Sequence, residues 1–310
     1  MAIFSALIIQ IIPLLLLIGV GYVAGRRLDV QMHSLSMLSI YLLVPFVIAI
    51  SLANIDLKLE YVAIPFVLYV ICSTLCVVAV KLGKLTLDKS HHPLMALLGG
   101  LSNTGYFGIP IITALLGPAA IGIYMLFNMG LAVTEVTTAY YLANRANLSI
   151  KDSIKRVLRL PPLYGVGAGI TLNLLNIEIP DIVHKYWQHA TGAYIIIGMM
   201  LIGVGLSKLN GLKLNWRFTG LCFAHKYLIW PLTFLGLILL DKTLLHALDH
   251  NTHIMLLLIG ICPLPANAVA YATQLKLPAE EVAATILLST IFALLYVPAV
   301  ISLYYFLIPT

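Results

Sequence analysis

Apolar stretches of roughly 20 residues recur from one end of the chain to the other, beginning with 3–24, and nothing else in the sequence restricts the fold so severely. Inside a bilayer every backbone N–H and C=O must be satisfied by the protein itself, and repeated runs of this length meet that demand as helices. Composition removes the soluble alternative. Of 310 residues, 61% are hydrophobic and 10% charged, the mean hydropathy is +1.01, and such a chain could not cover itself with a water-facing surface. An all-α integral membrane protein is expected. The first run has no basic residue ahead of it, lacks a small-residue cleavage pattern and is too long for a signal-peptide core, so it reads as a retained span.

Ten spans are predicted, at about 3–24, 33–53, 61–82, 93–116, 119–143, 160–177, 190–208, 216–240, 252–274 and 280–307. Lysine and arginine test the count. Loops after odd-numbered spans hold 14 of the 18, loops after even-numbered spans hold Lys58, Lys185 and Lys242, and Lys226 lies within span eight. Basic loops mark the cytoplasmic side, so both termini are expected on the outer side of the cell (inner) membrane. The net charge of +6 is scattered through short loops and does not suggest nucleic acid.

The most polar segment separates five spans from five. Residues 1–144 form a first half, 145–159 a basic cytoplasmic linker and 160–310 a second half. An odd number per half means that a copy of the first would enter the membrane inverted. Span one carries PLLLLIGVGYVAG (13–25) and span six PPLYGVGAG (161–169), each a proline followed by spaced glycines. Span four is interrupted by SNTGYFGIP (102–110), and span nine, its counterpart, by ICPLPANA (261–268).

These interruptions are the candidate site. Pro110 cannot donate to the carbonyl of Tyr106, and Gly105 and Gly108 ease departure from helical geometry. Pro263 and Pro265 free the carbonyls of Ile259 and Ile261. Groups so freed in hydrocarbon must be taken up by protein, water or ligand. Paired interruptions at matching places in inverted halves point to a transporter's binding site. Proline kinks without a ligand are the alternative.

NTxxxGIP in span four, the Gly–Pro that opens span five and LFN (126–128) resemble the auxin efflux carrier family, which includes bacterial permeases linked to malonate or malate and the plant PIN exporters. PLPANAVAYATQLKLP (263–278) and LLSTIFALLYVPAVISL (287–303) are similar to the last two helices of those permeases. The resemblance implies ten helices as a 5+5 inverted repeat in which broken helices 4 and 9 cross. It implies a scaffold of helices 1, 2, 6 and 7, a moving transport domain of helices 3–5 and 8–10, and a homodimer through the scaffold. It further implies that Asn103, Thr104, Asn128 and the segment Pro263, Pro265, Ala266, Asn267 line a substrate site, together with Gly105, Gly108 and Pro110 of the break. The linker is short compared with the long central loop of many PIN proteins, so a bacterial-type permease of small organic anions is the closer match. A sodium-coupled bile-acid-type carrier is the main alternative, and an ion channel a weaker one.

Two ionisable residues lie deep in predicted spans. Lys226 is about 15 Å and Glu135 about 12 Å from the nearer span end, at 1.5 Å per residue. Charges at such depth face a cavity or a partner. Lys226 is expected to balance substrate charge and Glu135 to carry a coupling proton, with His225 as a relay; a structural ion pair between Lys226 and Glu135 is the other reading. Glu135, Asn128 and Thr138 are placed on one helix face. No cofactor or metal is expected beyond coupling to H+ or Na+, and no catalytic motif is present that would suggest an enzyme. Cys72, Cys76, Cys222 and Cys262 read as small packing residues. His250 and His253 are placed in an outward loop, and His91–His92 at the inner surface. Tyr61, Tyr186, Trp187 and Trp216 read as interfacial anchors, and 149–160 as an amphipathic surface helix.

Overall fold

A computed structural model describes residues 2–54, 59–144, 151, 155, 158–159, 161–207 and 214–307. Most of the expected surface helix at 149–160, and Lys58, Arg145, Arg156, Lys208 and Lys213 of the loop count, lie outside the described residues.

The described regular structure is helical throughout. In chain order it comprises α1 (Ala2–Arg27), α2 (Met32–Ala53), α3 (Leu59–Thr86), α4 (His92–Gly99), α5 (Ile109–Leu116), α6 (Ala120–Ala143), α7 (Pro161–Leu174), α8 (Asp181–Ser207), α9 (Trp216–Leu245), α10 (His250–Ile261), α11 (Ala268–Gln274) and α12 (Ala279–Leu307). Among the described residues, seven segments are long and apolar enough to cross a membrane: 32–53, 61–86, 92–116, 120–143, 181–207, 216–245 and 279–307. A multi-pass membrane protein follows. The seventh predicted span starts earlier than its hydropathy suggested, at Asp181, because the polar stretch HKYWQHA continues the helix.

Glycines decide which helices touch. A Cβ on Gly21 would strike the backbone of Met200, and one on Gly203 the carbonyl of Ile18, so α1 and α8 meet backbone to backbone. Small residues permit such approach where the surrounding lipid gives no hydrophobic drive. Between α7 and α2, Gly165 lies on the carbonyl of Pro45 and Gly169 on that of Ala49. Asn173 closes that contact, its Nδ2 donating to Leu52 O at 3.1 Å.

The remaining helices pair through hydroxyls and rings. Ser73 Oγ of α3 meets Thr138 Oγ1 of α6 at 2.9 Å, and Gly130 admits the backbone of Pro65. Thr219 of α9 meets Thr285 of α12 at 2.9 Å, and the Tyr227 hydroxyl reaches Ser289 Oγ at 2.7 Å. Phe223, Tyr227, Phe292 and Tyr296 stack in the same seam.

Several expected surface positions are interior. His250 and His253 open α10 rather than a loop, because Asp249 caps the helix by accepting from Thr252 N at 2.8 Å. His253 is buried, with Nε2 2.8 Å from Asp241 Oδ2. Tyr61 is buried with its hydroxyl on Asp249, and the Trp187 indole donates to Val47 O, so neither is a membrane-interface anchor. Tyr186 and Trp216 are exposed as expected. His91 is buried against Glu281 at 3.0 Å.

Candidate functional site

The two interruptions meet. Asn103 N–H donates to Pro263 O at 2.8 Å, and Ser102 Oγ donates to Ile259 O at 3.1 Å and to Cys262 O at 3.3 Å. The Ile259 carbonyl freed by Pro263 is therefore taken up by the other break. Further freed groups are capped from neighbouring helices: Trp230 Nε1 donates to Gly99 O at 2.9 Å, and Leu264 N–H donates to Ser289 Oγ at 2.9 Å. In a low-dielectric interior each such pairing removes a cost of a few kcal/mol.

The position of the first break differs from the one expected. The helix stops at Gly99 and resumes with a π-turn at Thr104–Gly108, so the irregular stretch is residues 100–103. Pro110 is the second residue of α5, directly after that π-turn, and so lies beyond the irregular stretch. The π-turn runs directly into that helix, with Gly108 N–H on Asn103 O at 3.2 Å. The second break spans 262–267, with Pro263 and Pro265 inside it.

Against this junction lies a cavity of about 640 Å³. Its lining includes Asn103, Thr104, Gly105, Asn128, Glu135, Pro265, Ala266 and Asn267, so most of the residues expected from sequence converge. Three of them carry buried polar atoms without a hydrogen-bond partner among the described residues: Asn103 Nδ2, Asn128 Oδ1 and Glu135 Oε1. Asn128 directs its own Nδ2 to Tyr124 O at 2.9 Å, which fixes the amide with its oxygen free. Asn267 of the second break and Tyr271 of α11 face the Glu135 carboxylate. Tyr41, Tyr106 and Tyr194 also line the cavity, the last two with ring centroids 5.5 Å apart, and exposed Lys155 and Arg159 line it from the linker.

Other expected residues lie elsewhere. Gly108 packs under the Tyr124 hydroxyl and beside Cys262 Sγ, so it serves the close approach of the breaks. Pro110 and Pro263 are absent from the lining. Lys226 is fully buried outside it, its ammonium nitrogen 3.4 Å from the Trp230 ring centroid. Among the described residues, neither Lys226 Nζ nor His225 Nε2 has a hydrogen-bond partner. The alternative reading, a Lys226–Glu135 ion pair, is not found among the described residues. Thr138 also leaves the face of Asn128 and Glu135, because a π-turn at Glu135–Ala139 shifts the helix phase by a residue.

A polar cavity thus lies at the junction of two broken helices in a multi-pass membrane protein, and sequence comparison likens the chain to transport proteins. A family model described as membrane transport protein matches residues 6–153. An uncharacterized transporter of Methanocaldococcus jannaschii is 23% identical over 299 residues, which cover 93% of this chain and 95% of that one. Over its first half the chain is thus similar to a membrane transport family, and over nearly its whole length to an uncharacterized transporter.

Proposed function

We propose that the protein is a secondary transporter that carries a small organic anion, a mono- or dicarboxylate, across the cell membrane by elevator-like alternating access. The observation that carries this reading is the cavity at the meeting point of both breaks, with a buried, unpartnered amide donor on Asn103. Such a donor suits a carboxylate oxygen, and a charge-assisted bond there is stronger than a neutral one. Lys155 and Arg159 at the exposed end raise the local anion concentration. Glu135 is the coupling-proton site of this mechanism, since an ionised carboxylate beside a bound anion is repulsive and its protonation removes the repulsion. Lys226 and His225 stand outside the lining and are not substrate contacts.

The inverted-repeat reading is supported by how the helices pair. Ten spans result when α4 with α5, and α10 with α11, are each counted as one broken span. Span one then packs on span seven, and span six on span two, which is the same pairing with the halves exchanged. Span three on span five matches span eight on span ten in the same way. The glycine-tight pairs form the scaffold of the proposed elevator, the other six spans its moving part, and a homodimer through the scaffold completes it.

Counterflow of labelled carboxylates in proteoliposomes tests the proposal. Exchange that depends on unlabelled internal substrate supports a carrier, flux without saturation means a channel, and a requirement for a sodium gradient favours sodium coupling. If Glu135 carries the proton, Glu135→Gln flattens the pH dependence of uptake. An unchanged profile removes it from that role.

A further inference from the structure

A second site lies outside the central cavity. Lys84, Lys89 and His92, at the end of α3 and the start of α4, line a pocket of about 570 Å³ with Val80, Tyr141 and Leu142. Tyr141 and Leu142 also line an apolar groove of about 1020 Å³ between α3, α6 and α7, whose walls include Phe66, Val133, Leu163 and Ile170. A cationic pocket thus adjoins an apolar trough, the two sharing a wall at Tyr141 and Leu142.

We propose that this composite site binds one anionic phospholipid, with the phosphate at Lys84 and Lys89 and an acyl chain in the groove. Charge and polarity together select that occupant. Neither lysine makes an ion pair with an acidic residue among the described residues, and exposed Asp88 on the intervening turn is not part of the pocket lining. His92 Nε2 donates to Leu87 O at 3.1 Å, which holds the ring against the pocket wall. The groove's polar lining is limited to hydroxyls, chiefly of Thr137 and Thr138, and Thr138 is already paired with Ser73, so the trough suits hydrocarbon rather than a polar solute. A basic cluster at a helix end beside an apolar cleft recognises an anionic headgroup and tail together. The inference rests on the chain spanning a bilayer and not on what it transports.

The test is native mass spectrometry of the full chain released from detergent, titrated with phosphatidylglycerol or with phosphatidylcholine of the same chains. One phosphatidylglycerol per chain is expected to bind at least tenfold more tightly than phosphatidylcholine. The Lys84→Gln/Lys89→Gln double variant, altered at exposed positions, is expected to lose that preference. Val133→Trp, which fills the trough, is expected to weaken both lipids. Equal binding of the two lipids, or a preference that survives the lysine changes, overturns the proposal. Inorganic phosphate supplies the source control: if it raises the melting temperature as phosphatidylglycerol does, the site takes a free anion and the lipid assignment fails. Indifference to Val133→Trp overturns the acyl-chain half of the site.

Discussion

Asn103→Ala is expected to lower uptake by on the order of 100-fold while the melting temperature stays level or rises slightly. The two halves of this residue serve different ends. Its backbone ties the breaks together, N–H to Pro263 O and C=O to Gly108 N–H, and alanine keeps both bonds. Its side-chain Nδ2 is buried without a partner among the described residues, so removing the amide costs no bond from that donor to them. A hydrogen bond to a charged group is worth about 1.5–3 kcal/mol, and each 1.4 kcal/mol is about tenfold, hence the size of the loss. Asn103→Asp keeps the shape but presents an acceptor and a negative charge, and is expected to be at least as damaging. Uptake and circular dichroism melts on the same preparations decide the matter. Normal uptake by the alanine variant, or a protein that no longer folds, refutes the assignment.

The breaks themselves were legible because proline, glycine and asparagine act locally: they weaken a helix wherever it packs. What caps the break was not legible. Ser102 belongs to the break itself, but Trp230 and Ser289 sit in apolar runs with no periodic signal, and which carbonyl or N–H a side chain reaches is settled by tertiary packing. The same limit explains Lys226. Depth in the sequence marked it as costly, yet depth along a helix says nothing about direction, and its ammonium faces the Trp230 ring instead of the cavity. Thr138 failed for a subtler reason, since face assignments assume 3.6 residues per turn and a π-turn between Glu135 and Ala139 breaks the count. His253 was misplaced because a polar DHNTH reads as loop, whereas its aspartate is a helix cap and its second histidine a buried partner of Asp241. The polar residues of the motifs, Asn103, Thr104, Asn128 and Asn267, do share one cavity, whereas Gly108, Pro110 and Pro263 shape the breaks without lining it.

Three glycines of α7 spaced by two make the second large prediction. Gly165 and Gly169 are buried against α2, where an added Cβ would overlap the Pro45 backbone and crowd Ala49 and Leu52. Gly167 between them is exposed, and a Cβ there meets nothing within 4 Å. Gly165→Leu and Gly169→Leu are each expected to destabilise by about 3 kcal/mol or more, the upper end of ordinary overpacking, because the obstacle is backbone and cannot change rotamer. Gly167→Leu is expected to be neutral or stabilising, since leucine gains close to 1 kcal/mol of helix propensity over glycine and the position is exposed, with no atom within 4 Å of an added Cβ. Fluorescence-detected size-exclusion chromatography after stepwise heating reads the contrast directly. The same alternation recurs in α1, where Gly21 and Gly25 touch α8 and Gly19 is open, so Gly19→Leu should be tolerated and Gly21→Leu should not. Equal damage at Gly165 and Gly167 would mean that α7 turns a different face to α2, and the α7–α2 contact that anchors the proposed scaffold would go with it.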